Sequence, residues 1–321
     1  MNALAVFTEE EKKRAKILLA AKVASMMGRK LEEGDWSEVY CKAKDIPENG
    51  WSNLHIDVNH NGLGIEFKML RIGQLRGQSI KSVCGTTRMH PAATRSIRIE
   101  DTSLPANDVM VDVLSQYSAL IDERTERVRE NSPDGTAEMR LGWLLWEDDL
   151  REFLYFEELM QKPNPQKYYA EWNETAARGA RKPSKSLWIF DKSTNKKCYS
   201  VTTSAGIKIQ PYFDVPPPND PNLIYFRVQS EPFDDDTIIL WVAAATAAQL
   251  KDRLGSIDKE IVSKAVFEAA EKERQDEGFT IDDLQSAIPI YVSKEAFDLL
   301  IRNWEAVSDD HRIQLLIQSL E

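Results

Sequence analysis

Three charged residues, Asp57, Glu66 and Lys68, have types and a spacing that suit a hydrolytic site. The segments around them alternate in hydrophobicity as two strands, and the Asn61-Gly62 pair between them is the strongest short-range signal for a two-residue type I′ hairpin turn. Two carboxylates on one sheet face favour a hard divalent cation such as Mg²⁺. A lysine beside them can orient or deprotonate a water that attacks a phosphate.

The turn fixes the pairing register of this hairpin. His60 opposes Leu63, Asn59 opposes Gly64, Val58 opposes Ile65, and Asp57 opposes Glu66. Because side chains alternate between faces, His55, Asp57, Asn59, Glu66 and Lys68 are predicted on a polar face, and Ile56, Val58, Ile65 and Phe67 on a core face. Directly opposed carboxylates, with Cβ atoms about 4.5 to 5.5 Å apart, destabilise a sheet unless a cation neutralises them. An ordinary hairpin with a polar outer face is the alternative.

The elements that position these residues follow from hydrophobic periodicity. Helices are predicted over 9–27, 36–44, 107–129, 138–160, 258–277, 294–306 and 309–319. Strands are predicted over 54–60, 63–70, 186–191, 197–203, 207–215, 222–229 and 237–243, and a basic loop with some helix over 71–105. The chain is therefore expected to combine helices and strands.

The charge of the chain is unevenly distributed. The 321 residues carry a net charge of −11, which by itself disfavours a polyanionic partner. Residues 67–99 carry +7 without one acidic residue, and residues 161–210 carry another +7. Remote charges are screened beyond about 8 Å at physiological salt, so a local basic surface can still attract nucleic acid. Ordinary solvated basic faces are the alternative reading.

Several classes of protein and site are disfavoured. No apolar run is long enough for a membrane span, and the N-terminal residues lack a secretory signal pattern, so a cytoplasmic protein with no membrane partner is expected. The cysteines Cys41, Cys84 and Cys198 lie far apart, and no histidine pair has helical zinc-ligand spacing. A phosphate-binding Gly-Lys-Ser/Thr loop is also absent from the sequence.

The hairpin motif, Asp57 followed after eight residues by Glu66-Phe67-Lys68, resembles that of the PD-(D/E)xK nuclease superfamily, which includes type II restriction endonucleases. Ile56 stands where the name of the motif has proline. The resemblance implies a mixed central sheet flanked by helices, with Mg²⁺ held by the Asp57 and Glu66 carboxylates and the main-chain carbonyl of Phe67. It also implies that Lys68 is the catalytic amine. Glu38, in the helix before the strands, is the position matched to an auxiliary acidic residue.

Residues that would contact DNA phosphates or read base edges are predicted in the two basic stretches. They are Arg71, Arg76, Arg88, Arg95, Arg178, Arg181, Lys182 and Lys185. Trp172 and Trp188 lie beside basic residues and could stack on bases. Trp188 is nevertheless expected in the core, because apolar residues surround it in the sequence.

These observations predict an α/β (α+β) fold with a mixed central β-sheet flanked by helices, a β-rich segment and a helical C-terminal region. Residues 1–160 are predicted as the catalytic region, 161–246 as a β-rich, basic, DNA-contacting region, and 247–321 as the helical region. The predicted function is a Mg²⁺-dependent endonuclease of restriction type acting on double-stranded DNA, with a C2 homodimer implied by the resemblance. The alternatives are a low-specificity defence or repair nuclease, and a non-catalytic nucleic-acid or protein binding module.

Overall fold

A computed structural model describes residues 3–26, 30–47, 56–73, 75, 77–90, 97–176, 183–203, 208–270, 287–304 and 308–320. Its α-helices are α1 (Glu9–Ala24), α2 (Glu33–Ala43), α3 (Ala106–Glu130), α4 (Ala244–Leu254), α5 (Lys259–Ala270), α6 (Lys294–Asn303) and α7 (Asp309–Ser319). Its strands are β1 (Val58–His60), β2 (Leu63–Arg71), β3 (Thr87–Met89), β4 (Glu138–Trp146), β5 (Glu152–Leu159), β6 (Tyr168–Thr175), β7 (Ser184–Asp191), β8 (Lys197–Thr202), β9 (Lys208–Asp214), β10 (Ile224–Arg227), β11 (Glu231–Pro232), β12 (Thr237–Ala243) and β13 (Ala287–Ser293).

The central sheet is mixed and has the strand order β1-β2-β4-β5-β10. Strands β2 and β4 run parallel, joined by the long crossover helix α3, and the other neighbours are antiparallel. One face packs against α1 and α2, where Trp36 and Tyr40 surround the Phe67 ring. The opposite face of β2 meets α3. The predicted class, with a mixed sheet flanked by helices, is confirmed.

Two further sheets complete the fold. The second sheet has the order β3-β9-β8-β7-β6, and its inner face packs on α3. The third, β11-β12-β13, forms a separate core with α4 to α7. Strand β3 joins the second sheet and β10 joins the central one, so strands cross the boundary predicted at residue 160. None of the helices in the described ranges is both long and apolar enough to cross a bilayer.

The helix predicted over 138–160 is wrong, because the segment forms the antiparallel hairpin of β4 and β5. Seven consecutive residues, 152–158, are buried, since helices and the second sheet cover both faces of the central sheet. A strand buried on both faces loses the period-two alternation that identifies strands in a sequence. The acidic residues Glu147 to Asp149 form the turn, with Leu150 at φ 53°.

The other elements agree with the prediction to different extents. Helices α1, α2, α3, α6 and α7 and strands β7, β8, β9, β10 and β12 are confirmed, with ends shifted by up to a few residues. Strands β6 and β13 were not predicted, and β3 lies in the expected basic loop. The predicted start of the first hairpin strand, at Leu54 and His55, and the predicted end of helix 258–277 lie outside the described residues.

The predicted hairpin register is confirmed for the three pairs from Val58–Ile65 to His60–Leu63. Asn61 and Gly62 have φ values of 47° and 80°, the left-handed pair that a type I′ turn requires. Strand β1 begins at Val58, so Asp57 lies one residue before the ladder. Ile56, predicted on the core face, instead packs against the cluster formed around α3.

Gly142 offers a test of the β4 strand. A Cβ atom at this position would lie 2.6 Å from the Tyr155 hydroxyl and 2.8 Å from the Phe67 ring, both fully buried. We expect Gly142→Ala to lower the free energy of unfolding by about 1–3 kcal/mol, since a packed core resists added volume. In a helix the same change would stabilise by about 1 kcal/mol. Urea unfolding measures the difference.

Gly73→Ala is the matched control for this substitution. A Cβ atom added at Gly73 would meet no atom of a non-adjacent residue within 4 Å, so the unfolding midpoint of this variant should remain close to that of the wild type. A Gly142→Ala variant as stable as the wild type would contradict the close approach of β4 to Phe67 and Tyr155.

Candidate active site

The Asp57 carboxylate is fixed against the neighbouring strand. Its Oδ2 accepts a hydrogen bond from the main-chain N–H of Phe67 at 2.7 Å, and its own carbonyl accepts one from Ser37 of α2 at 3.3 Å. Burial raises the pKa of Asp57, only partly offset by the Phe67 N–H and by Lys68. The carboxylate is thus positioned where β1 ends and the edge of β2 continues.

Glu66 lies between two cations on the opposite side of the sheet from Phe67. Its Oε1 is 2.7 Å from the Lys68 ammonium, and its Oε2 pairs with the guanidinium of Arg124 on α3. The Glu66 side chain is only 12% exposed. The predicted neutralisation of this carboxylate is therefore supplied, in this structure, by side chains of the protein.

Lys68 is a largely buried base of the site. Its side chain is 15% exposed, and burial lowers its pKa in spite of the attraction of Glu33 and Asp57, which favours the charged form. A lysine with a lowered pKa exchanges its proton more readily near neutral pH than an exposed one. Lys68 thus contacts Glu66 and acts on Asp57 through its charge, whereas the predicted direct pairing of Asp57 with Glu66 is not part of the observed ladder.

Glu33, at the first position of α2, is an acidic residue that sequence reasoning missed. Its charge acts on both Asp57 and Lys68. Glu38, the position matched to an auxiliary carboxylate, lies one turn further along the helix and is held by Lys22 at 2.5 Å and Lys42 at 2.7 Å. Burial raises the pKa of Glu38, but these two lysines outweigh it and lower the value. The influence of the Glu33 charge on both groups, and the pairing of Glu38 with two lysines, favour Glu33 as the third acidic residue.

A cavity of about 700 Å³ lies between the N-terminal end of α2 and the second half of β2. Its lining residues are Leu31, Glu32, Glu33, Gly34, Asp35, Glu38, Met69, Leu70, Arg71 and Trp146. Four of them are acidic and one is basic, so the cavity favours cations over unaccompanied anions. Glu33 belongs to the cavity wall, and its charge also acts on Asp57 and Lys68, which do not line the cavity.

The donor set fits a hard divalent cation. Asp57 and Glu66 supply carboxylate oxygens, the ligand type that Mg²⁺ prefers. Within a strand, the N–H and C=O of one residue point to the same edge. Because the Phe67 N–H points to Asp57, the Phe67 carbonyl is directed to that edge as well. In the described part of the chain, no three His, Cys, Asp or Glu side chains form a metal-holding group, so two carboxylates and a carbonyl are what the hairpin offers.

The predicted DNA contacts are only partly visible. Arg71 is ion-paired with Asp148, and the Nε of Arg88 donates to Thr86 at 3.1 Å. Lys185 donates to the Thr102 carbonyl at 2.8 Å. The remaining positions, Arg76, Arg95, Arg178, Arg181 and Lys182, lie outside the described residues. All eight stay predictions.

Arg124 is a second functional residue that sequence reasoning missed, although a signal for it exists. The buried stripe of α3 includes Tyr117, Ile121 and Val128, and Arg124 falls between the last two at helical spacing. A charged residue on an apolar stripe needs a buried partner of opposite charge. Since α3 covers β2, that partner is Glu66.

The pair formed by Arg124 and Glu66 can be tested through stability. Arg124→Met should lower the free energy of unfolding by about 1–3 kcal/mol, because it leaves a largely buried carboxylate with one cation fewer. Arg129→Met, at an exposed ion pair on the same helix, should change it by less than about 0.5 kcal/mol. Urea unfolding of both variants measures these costs.

A double-mutant cycle isolates the contact itself. In the Glu66→Gln background, Arg124→Met should cost clearly less than in the wild type, because the charge that Arg124 neutralises is gone. If the losses in free energy of unfolding of the two single variants add up to that of the double variant within about 0.5 kcal/mol, the two side chains do not interact.

Comparisons with known proteins gave no relative. A scan against protein-family models, a search of curated proteins and a search of solved structures each found no match to the chain. The resemblance to PD-(D/E)xK nucleases therefore rests on the residues of the hairpin, and the function has to be argued from the geometry of the site.

Proposed function

We propose that the protein is a Mg²⁺-dependent DNA endonuclease that hydrolyses phosphodiester bonds, with its active centre at the β1–β2 hairpin. One observation supports this most strongly. The Asp57 carboxylate is fixed by the Phe67 N–H, and Lys68, which pairs with the buried Glu66, also acts on Asp57 through its charge. A structural hairpin gains little from burying two carboxylates, since burial of each costs free energy.

Each residue has a distinct role in this proposal. Asp57, Glu66 and the Phe67 carbonyl would hold Mg²⁺, which when bound supplies Lewis-acid stabilisation of the phosphate and a water of lowered pKa. The Lys68 Nζ lies 2.7 Å from the Glu66 carboxylate. As an ammonium it would orient the attacking water, and only as a neutral amine would it accept the proton of that water. Arg124 pairs with Glu66 and holds its side chain in place, and its guanidinium suits a phosphate oxygen once substrate arrives.

The substrate class follows from charge. An acidic centre needs basic surfaces elsewhere on the protein to retain a polyanion, and residues 67–99 and 161–210 each carry +7. A C2 dimer acting on double-stranded DNA in the cytoplasm is part of the proposal, since two symmetric centres cut both strands. A nuclease of low sequence specificity, in defence or repair, differs only in how the basic regions read DNA.

A non-catalytic binding module is the second candidate, and one observation favours it. Both oxygens of Glu66 already have cationic partners within the chain, Lys68 and Arg124. In that case the hairpin is a buried ion-pair network that fixes α3 on the sheet, and hydrolysis is absent.

DNA cleavage distinguishes the two candidates. Purified protein incubated with unmethylated plasmid and phage DNA should cleave in Mg²⁺ and be inactive in EDTA. Asp57→Asn and Lys68→Met should each lower the cleavage rate at least about 100-fold, because each removes a group acting at the reacting phosphate. Gel electrophoresis and sequencing of the ends give the readout.

Asp122→Asn, an exposed aspartate on α3, is the matched control and should cleave like the wild type. Discrete fragments indicate a site-specific enzyme, and a metal-dependent smear indicates one of low specificity. Intact DNA, or equal cleavage by Asp57→Asn, would rule out the proposed centre and leave the binding module.

The two candidates for the auxiliary acid give a further prediction. Glu33→Gln should raise the Mg²⁺ concentration that cleavage requires, or lower the cleavage rate, by about 10- to 100-fold. This is the usual effect of removing a group that supports metal ligands. Glu38→Gln should cleave at a rate close to that of the wild type, because the Glu38 carboxylate forms ion pairs with Lys22 and Lys42. Cleavage rates over a Mg²⁺ titration measure both, and the reverse ranking would restore Glu38 as the auxiliary residue.

A further inference from the structure

The outer face of the second sheet carries a continuous group of aromatic side chains. The inner face, with Leu187 and Ile189, is fully buried against the cluster around α3. On the outer face lie Tyr169, Trp188, Phe190 and Tyr212, all only partly buried, which together are called the aromatic platform. The prediction that Trp188 belongs to the core is therefore wrong.

Strand register places these rings side by side. Tyr169 of β6 directly opposes Phe190 of β7, and their rings stack at 5.2 Å with an angle of 16° between planes. The Trp188 ring meets Phe190 edge-on at 6.4 Å. The platform thus crosses β6, β7 and β9 as one surface, and a further flat ring can join its stack.

A cation lies at the centre of the platform. The Lys197 ammonium is 3.2 Å from the centroid of the Trp188 ring and 5.3 Å from that of Tyr212. Burial lowers the pKa of Lys197, whose neighbours here are aromatic rings. Aromatic rings combined with a positive charge suit a ligand that has both flat apolar rings and an anionic backbone.

Charge and polar groups identify the ligand further. The segment 161–210 that forms β6, β7, β8 and their loops carries +7 in a chain of net charge −11. The same face presents the amide of Asn173 and the hydroxyls of Ser186 and Thr202, which are partly buried and of a type that hydrogen-bonds base edges. Ser200 and Gln210 on this face are buried, and the exposed carboxylate of Glu171 lies directly opposite Trp188. A neutral glycan would use the rings and amides but leave the excess positive charge without a partner.

We propose that the aromatic platform is a binding site for single-stranded nucleic acid, whose unpaired bases stack on Trp188, Phe190 and Tyr169 while Lys197 attracts the backbone. Bases within a duplex are stacked on each other, so only an unpaired segment can use these rings. The platform faces away from α3, whereas the hairpin lies against α3 on its other side. The site is thus separate from the proposed active centre and does not depend on hydrolysis.

Binding can be measured in EDTA, where metal-dependent cleavage is absent. The measurement is fluorescence anisotropy with labelled oligo-dT and oligo-U. A length of about 15 nucleotides is enough to span one platform of this size. Trp188→Ala should weaken binding by about 5- to 100-fold, the effect of losing one stacked base. Trp188→Phe should keep most of the affinity, and Lys197→Gln should lower the slope of log K against log salt by about 0.7.

Phe233→Ala is the matched control, since Phe233 is an aromatic side chain 62% exposed at the edge of the third sheet. It should bind like the wild type, and thermal unfolding checks that each variant is folded. If Trp188→Ala fails to fold, Phe190→Ala and Lys197→Gln carry the same test.

Four results would overturn the proposal. They are undetectable binding by the wild type, equal affinity of the Trp188→Ala and wild-type proteins, tighter binding of duplex that ignores Trp188, and a tryptophan fluorescence response to neutral oligosaccharides alone. Stronger binding of oligo-dT than of oligo-U, or the reverse, would identify DNA or RNA as the ligand. The binding assay needs no metal, so an absence of binding would not contradict the proposed cleavage activity. An absence of cleavage would likewise not contradict binding at the aromatic platform.

Discussion

The contact between Glu66 on β2 and Arg124 on α3 constrains the rest of the structure. Strands β2 and β4 are parallel, and a parallel pair needs a crossover that covers one face of the sheet. Here the covered face carries Glu66 and Lys68, so the crossover helix has to bring a positive charge. Arg124 meets that requirement at a position where the helix would otherwise be apolar.

The same contact determines what the hairpin can do chemically. Its charged groups include the carboxylates of Glu33, Asp57 and Glu66 and the cations of Lys68 and Arg124, an excess of one negative charge in a largely buried place. Attraction between such groups is stronger than at the surface, because the effective dielectric constant is lower. The structure shows these residues as an ion-pair network of Glu66 with Lys68 and Arg124. Under the proposed function, the same residues would hold the metal and contact the phosphate.

The sequence revealed the parts of the fold that are governed by local rules. The Asn61-Gly62 turn and period-two alternation identified the β1–β2 hairpin with its register, and the apolar stripe identified α3. Strands β4 and β5 were mistaken for a helix because both of their faces are largely buried. Burial on both faces removes the alternation of apolar and polar residues and leaves a pattern that a helix can share. Glu33 was missed because its helix was predicted to begin at residue 36, whereas α2 begins at Glu33. The apolar stripe of α3 marks Arg124 as unusual, but only the packing of α3 on β2 identifies Glu66 as its partner.

The position of Trp188 follows from the alternation of side chains along a strand. Its apolar neighbours suggested a core position, yet in a strand adjacent residues face opposite sides. If Leu187 and Ile189 are buried, Trp188 and Phe190 must lie on the other face, and whether that face is core depends on what covers it. Here the outer face keeps partly exposed rings around Lys197. Large aromatic rings left partly exposed around a lysine cost the fold apolar burial that a packed sheet would recover, and the proposed binding site rests on this feature.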